Sequence, residues 1–437
     1  MEPMEATTMP SLLKCMDCGR EYALDERITA CHACGGLLDV AHDLDALRPA
    51  ISRELFDRRL ASWDPLDRSG VWRYRELVRP GVSAAQAVTR GEGNTTLYPA
   101  GPKLASYAGV AQLQLKHEGE NPTGSFKDRG MTGGVTQARV VGARSVICAS
   151  TGNTSASMAS YAAIAGLQAL VFFPAGYVAL GKVAQSLAYG ATSVQVEGDF
   201  DDTLALVRRA CDELPIYLLN SINPFRLEGQ KTIVIELLHQ RGWHVPDWIV
   251  VPGGNLGNSA AFGKALHELY ALGLIDRLPR LAIVQAEGAN PLYRSFRTGW
   301  QVRHTVRAET LATAIRIGNP ANYPKAVRAL RWTDGVVTEV SDQAILDAKA
   351  QIDAAGIGCE PASAATVAGI RRLVDEGTIA PGDDVVAVLT GHLLKDPDAV
   401  MKYHAGALPG LESTFANAMR TIKPSLDEVA ALLEIQV

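Results

Sequence analysis

No apolar run in this sequence is long enough to cross a bilayer. The longest, such as Ala169–Pro174 and Trp248–Pro252, cover only a few residues and read as buried strands. No charge of either sign dominates. A net charge of −5 and a pI near 6.0 exclude the basic balance of a nucleic-acid binder or a membrane-surface protein. The segment Met1–Pro10 lacks the basic start and apolar stretch of a secretory signal. Cysteine is scarce and odd in number, seven in 437 residues, which argues against a disulfide framework. A reducing cytoplasm is therefore the expected location. There is no internal repeat and no low-complexity linker.

What is present is a chain too long for one ordinary core, so two or three domains are expected. From Gln112 onward, short β-branched runs alternate with Ala-rich amphipathic segments. The runs are Gln112–His117, Ser145–Ala149, Ala169–Phe173, Ser193–Glu197, Ile216–Leu219, Trp248–Val251, Ala282–Ala286 and Val385–Leu389. Helical patterns between them include Thr154–Ala165, Gly181–Tyr189, Thr203–Leu214, Pro224–Gln240, Ser259–Leu272 and Ser363–Glu376. This alternation predicts an α/β fold with doubly wound parallel sheets. Ligands in such sheets sit on the loops that leave the carboxyl ends of strands. The tail Gly410–Val437 reads as one or two surface helices.

Several of those loops carry unusual chemistry. After His117 comes Asn121-Pro122-Thr123-Gly124-Ser125-Phe126-Lys127-Asp128-Arg129-Gly130. Ser125 and Asp128 are spaced as a capping box, which puts Lys127 in a first helical turn. A cation there opposes the helix dipole, which lowers the pKa of an amine. By spacing alone, Lys127 could equally be a solvated surface lysine. Gly253-Gly254-Asn255-Leu256-Gly257-Asn258 follows a strand and opens a helix, as an anion cradle would, although many tight turns look the same. Ser150-Thr151-Gly152-Asn153-Thr154-Ser155 reads as an N-cap cluster. Thr390 ends the last strand. Asn220-Ser221-Ile222-Asn223-Pro224-Phe225-Arg226 opens a helix with Arg226 in its first turn, where an anion is favoured. Lys182 sits similarly in Gly181-Lys182-Val183. Cys148 lies in an apolar run and reads as a buried small hydrophobe.

The ten contiguous residues Asn121–Gly130 resemble the Schiff-base segment of the fold-type-II pyridoxal-phosphate enzymes, and most of all the threonine synthase family. The resemblance runs from about Gly91 to Asp396. It implies a tryptophan-synthase-β-like fold of two doubly wound domains: a large one over 46–130 and 215–437, and a small mobile one over 131–214. It makes Lys127 the catalytic lysine that holds pyridoxal 5'-phosphate. Gly253, Gly254, Asn255, Leu256, Gly257 and Asn258 would cradle the cofactor phosphate. Asn153 would bond the ring hydroxyl, and Thr390 would face the ring nitrogen. Ser150, Thr151 and Thr154 would hold the substrate carboxylate and neighbouring groups. Asn220, Ser221, Arg226 and Lys182 would hold the phosphate of O-phosphohomoserine. The implied reaction is β,γ-replacement by water, giving L-threonine and phosphate, in a homodimer with no nucleic-acid or membrane partner. Gly91–Leu97 and Gly318–Tyr323 also resemble family segments, the first expected at the active-site entrance or else as a turn with an acidic residue.

Two departures keep neighbouring activities open. Asn322-Tyr323 stands where many threonine synthases have Ser-Trp, and Leu393 follows Gly391-His392 where many have Gly. Cysteate synthase, which joins sulfite to O-phosphoserine, is the nearest alternative, followed by a serine or threonine dehydratase. A non-catalytic zinc-ribbon binding protein is an alternative of another class.

Near the N-terminus, Cys15-Met16-Asp17-Cys18-Gly19 and Cys31-His32-Ala33-Cys34-Gly35 form two C-x-x-C turns twelve residues apart. Four thiolates at this spacing suit a closed, tetrahedral, structural zinc site on a ribbon spanning 1–45. A degenerate ribbon with leftover thiols has the same spacing. Some members of the family carry such a ribbon.

Overall fold

The computed structural model describes residues 11–175, 180–198 and 200–433. In chain order the strands are β1 Ser11–Cys15, β2 Glu21–Tyr22, β3 Leu38–His42, β4 Leu97–Pro99, β5 Gln112–His117, β6 Ser145–Ala149, β7 Gln168–Pro174, β8 Thr192–Val196, β9 Ile216–Leu218, β10 Trp248–Pro252, β11 Arg280–Ala286, β12 Val336–Val340 and β13 Asp384–Leu389. They form three sheets, ordered β2-β1-β3, β12-β11-β10-β13-β5-β4 and β8-β7-β6-β9. The large sheet is parallel except at its edge, where β4 runs antiparallel to β5. The four-stranded sheet is wholly parallel.

Burial explains the uniform apolar runs. All five residues of β10 are buried. Its alternate side chains enter different cores: Ile249 and Val251 face one hydrophobic cluster, Trp248 and Val250 the other. A sheet covered by helices on both faces has no polar side to show. Helices Pro224–Gln240 and Gly257–Ala271 supply one cover; Asp342–Ala354 and Pro361–Asp375 supply the other.

The four-stranded sheet runs past residue 214, where the sequence reading ended the small domain. β9 pairs in parallel with β6, from Ser145↔Ile216 to Ile147↔Leu218, so the strand leading into Asn220 belongs to this sheet. The helix Lys127–Val140 packs closely on Pro224–Gln240. A Cβ at Gly229 would lie 1.9 Å from the Arg129 carbonyl oxygen, so only glycine permits the approach. Charges fasten the same pair of helices. The fully buried Arg129 donates to Glu118 at 2.7 Å and to Glu236 at 2.7 Å, and Lys116 donates to Glu236 at 2.6 Å. This packing sets Lys127 and Arg226, at the two helix starts, over a common space.

The N-terminal sheet is docked on that second helix. Leu13, Cys15, Leu24, Leu38 and Val40 share one cluster with Phe225. His42 Nε2 lies 2.8 Å from Glu228, and Lys325 pairs with Asp39 at 2.7 Å. Within the tail, the described residues contain one helix, Leu426–Leu432. Among the described residues no helix is long and apolar enough to cross a membrane.

Candidate active site

The loops after β5, β6, β10 and β13 converge on one cleft of about 1250 Å³. Lys127, Ser150, Thr151, Asn153, Thr154, Ser221, Arg226, Gly254, Asn255, Leu256, Gly257, Asn258 and Thr390 all line it. Gly253 lies just behind, its N–H held by the Val284 carbonyl at 2.7 Å. Gly91–Leu97 does not reach this cleft. Gly91 and Asn94 line a separate depression, and the buried Glu92 carboxylate is taken up by Thr89, Ser69 and Tyr161. That segment fits the second of its two expected readings, a turn around an acidic residue.

Lys127 begins the helix Lys127–Val140, but no capping box places it. Asp128 instead turns back to accept from Thr123 N and Thr123 Oγ1, both at 2.6 Å, and from Ser157 at 2.5 Å. Ser125 Oγ is buried without a partner. The loop is stitched to the end of β13: Phe126 N donates to Thr390 O at 3.0 Å and His392 N to Gly124 O at 2.9 Å. The Lys127 amine packs 4.1 Å over the Phe126 ring. Its pKa is lowered to about 7, chiefly by burial and then by the Arg226 charge, with Glu360 opposing both.

The glycine loop turns through Leu256, which has φ +62°, into the helix Gly257–Ala271. The first N–H groups of such a helix lack internal partners and face an anion favourably. Asn255 Oδ1 accepts from Ala321 N at 3.3 Å. Asn322 Nδ2 donates to Ser221 O at 2.9 Å and to Asn255 O at 3.3 Å. Asn322 thus joins the glycine loop to the loop after β9.

In that second loop, Asn223 caps the helix Pro224–Gln240 by accepting from Phe225 N and Arg226 N. Arg226 is buried. One Nη donates to Leu219 O at 3.0 Å, while its Nε has no partner. Burial lowers its pKa to about 10. A desolvated guanidinium with an unmet N–H is prepared for an anion. Asn220 does not line the cleft. Its amide brackets Ala149, accepting from Ala149 N at 3.0 Å, and so ties the end of β9 to the end of β6. Lys182 lies on the helix Leu180–Ala188, and its side chain is outside the described residues.

A profile of the family described as pyridoxal-phosphate dependent enzyme matches residues 88–391. The threonine synthase of Methanosarcina acetivorans is 49% identical over 391 residues, 89% of this chain and 93% of that one. The threonine synthase of Methanocaldococcus jannaschii is 46% identical over 393 residues, 90% of this chain and 94% of that one. The chain belongs to the threonine synthases, within the pyridoxal-phosphate-dependent enzymes. The Escherichia coli threonine synthase structure shares the fold, with a TM-score of 0.69 at 17% identity, covering 97% of this chain and 99% of that one. Maize serine racemase shares it over 72% of this chain and 93% of its own, with a TM-score of 0.60 at 22% identity.

The donor set suits the cofactor of this family. An amine held near 7 faces a cleft that also opens onto a helix N-terminus behind a glycine turn. Lysine in that state is nucleophilic at neutral pH. Reconstitution of the apoenzyme with pyridoxal phosphate is therefore expected to accelerate as pH rises through about 7 and then level off, because the unprotonated amine reacts. An ordinary lysine would keep gaining up to a pH of about 10.4. A reconstitution rate still climbing steeply at pH ~9 would contradict the shift.

Sequence reasoning missed a third wall of the threonine synthase cleft. Glu360, Lys395, Gln185 and Gln230 all line it. Burial raises the Glu360 carboxyl, while the bond from Asn153 and the charges of Lys395 and Lys127 oppose that rise. Lys395 donates to Gln185 Oε1 at 2.5 Å, and Gln185 donates to Thr123 O at 3.2 Å. Cys148, by contrast, is the buried hydrophobe expected, its thiol pushed up to about 12 by burial.

Away from the cleft, the thiols of Cys15, Cys18, Cys31 and Cys34 lie within 4.8 Å of one another. Cys15 and Cys34 approach to 3.5 Å, Cys18 and Cys31 to 3.6 Å, and all four are free. His42 lies elsewhere, bonded to Ser11 and Glu228.

Proposed function

We infer that this chain converts O-phospho-L-homoserine and water into L-threonine and phosphate. The observation that carries the reading is the pairing, in one cleft, of a near-neutral lysine amine and a buried guanidinium with an unmet N–H. The first suits proton transfer at carbon next to an amine-bound cofactor; the second suits a phosphate.

Lys127 would hold pyridoxal phosphate, with Gly253–Asn258 around its phosphate, Asn153 at the ring hydroxyl and Thr390 at the ring nitrogen. When bound, the cofactor supplies the electron sink that stabilises negative charge at the substrate α carbon. The chain's own groups do the rest. Ser150, Thr151 and Thr154, at the start of the helix Asn153–Ala165, bind the substrate carboxylate. Arg226 and Ser221 hold the substrate phosphate, Lys182 is assigned to the same phosphate by the family resemblance, and Asn220 orders the loop. The Lys127 amine, once free, takes the α-proton and serves the β and γ carbons in turn. Phosphate leaves from the γ carbon toward Arg226, and water adds at the β carbon. A cytoplasmic homodimer belongs to the same reading, carried by the family resemblance.

The reading is tested by offering purified enzyme O-phosphohomoserine or O-phosphoserine, with and without sulfite. Threonine and phosphate from the first substrate in equal amounts are expected. Sulfite-dependent phosphate release from O-phosphoserine alone would assign the chain to the other reaction.

The four thiols would close around one zinc ion, leaving no open position for catalysis. Because the ribbon shares its core with Phe225, metal holds a wall of the large domain. Chelation is expected to remove about one zinc per chain and lower Tm by about 5 °C or more, read by metal analysis and calorimetry. Protein purified metal-free with an unchanged Tm would refute the site.

A further inference from the structure

Glu360 immediately precedes the helix Pro361–Asp375, and Ser363 lies in its first turn. Between them they touch both side chains that the proposed function places at the cofactor ring. One Glu360 oxygen accepts from Asn153 Nδ2 at 3.0 Å, and the other faces Thr390 Oγ1 at 3.4 Å. Ser363 Oγ accepts from the N–H groups of Thr390 at 2.8 Å and Gly391 at 3.0 Å. Those bonds occupy its lone pairs, so its own proton goes to Thr390 Oγ1, 3.0 Å away. The Thr390 proton must then point elsewhere, toward Glu360 or the cleft. Glu360 is a distant acceptor at 3.4 Å, so a closer acceptor in the cleft takes the proton, and Thr390 is then a donor to it. In the same way an oxygen acceptor at Glu360 decides which end of the Asn153 amide faces it, and leaves the second N–H of Nδ2 for the cleft.

The Asn153–Glu360 bond crosses the cleft. Asn153 follows β6 of the four-stranded sheet, whereas Glu360 belongs to the cover of the large sheet. The seat of the carboxyl is made by a missing side chain: a Cβ at Gly391 would lie 2.4 Å from its carboxyl carbon.

We propose that Glu360 is a positioning residue that, with Ser363, fixes the hydrogen-bond polarity of Asn153 and Thr390 so that both donate to the cofactor ring. This rests on the assignment of those two residues under the proposed function. The test titrates apoenzyme variants with pyridoxal phosphate, followed by visible absorbance, and measures kcat and KM separately. Glu360→Ala is expected to weaken cofactor binding by about 10- to 100-fold, as loss of a buried bond to a charged or polar group does. It should lower kcat while KM for the phosphorylated substrate changes by less than about threefold, because Arg226 is untouched. Glu360→Gln keeps an oxygen for Asn153 and restores most of the affinity. Gly391→Ala reproduces the Glu360→Ala loss with Glu360 still present. Equal losses in Glu360→Ala and Glu360→Gln, or wild-type affinity in Glu360→Ala, overturn the proposal. Lys127→Ala measured in parallel separates the two levels. If it retains the wild-type absorption, the cofactor assignment itself fails; if it loses that absorption while Glu360→Ala stays unchanged, only the positioning role fails.

Discussion

Replacing Lys127 with alanine is expected to erase the visible absorption of the bound cofactor and to lower turnover by about 10⁴-fold or more. On the proposed reading two jobs disappear together, attachment of the cofactor and proton transfer at the substrate. The geometry makes the amine irreplaceable. It sits over the Phe126 ring, half-buried in the cleft, where desolvation and the Arg226 charge keep its pKa near 7. Lys127→Arg should fail equally, although it preserves positive charge, because a guanidinium does not give up its proton near neutrality. Absorbance spectra and single-turnover assays check both variants. A Lys127→Ala protein with an intact cofactor spectrum would remove Lys127 from its role.

The second large effect is expected at Arg226. Arg226→Ala should lower kcat/KM for O-phosphohomoserine by about 100- to 1000-fold, the cost of deleting one partner of a buried, hydrogen-bonded charge pair. The guanidinium is desolvated before any ligand arrives, with its Nε unmet. An anion therefore gains a strong partner at no further cost in burying the arginine. The effect must follow the phosphate. Exchange of the α-proton of a phosphate-free analogue such as L-homoserine should fall by less than about tenfold, because Lys127 keeps its place and burial, the larger cause of its lowered pKa, remains. Competition by inorganic phosphate should weaken in parallel with O-phosphohomoserine. Equal losses with and without the phosphate would assign Arg226 to the architecture instead, where it also supports Leu219.

Much of the site is legible as contiguous residues. The segment Asn121–Gly130, the glycine loop and Asn220–Arg226 each follow a strand and open a helix, as their turn residues and apolar periods indicate. Local rules mislead where a side chain finds a better distant partner. Ser125 and Asp128 have capping-box spacing, yet Asp128 bonds Thr123 and Ser157. Asn220 stands in the loop expected to hold phosphate, yet its amide closes the gap between two strand ends. The strand Val336–Val340 escapes the pattern because it is a short run behind a turn. The helix after Glu360 begins at Pro361, two residues before the reading from Ser363. Proline at a first helical position was the available signal.

The sequence by itself determined which chemistry the chain can perform: an amine at a helix start, glycine turns for anions, an arginine in a helix's first turn and four paired thiols are properties of short segments. Only the tertiary structure decided how those groups are tuned and aimed. The pKa of Lys127 depends on burial and on Arg226, which lies on another helix. The polarity of Asn153 depends on Glu360, 207 residues away in the chain. Hydrogen-bond direction and desolvation are set by neighbours in space, and the packing of one helix on another, through Gly229 and Arg129, brings those neighbours together.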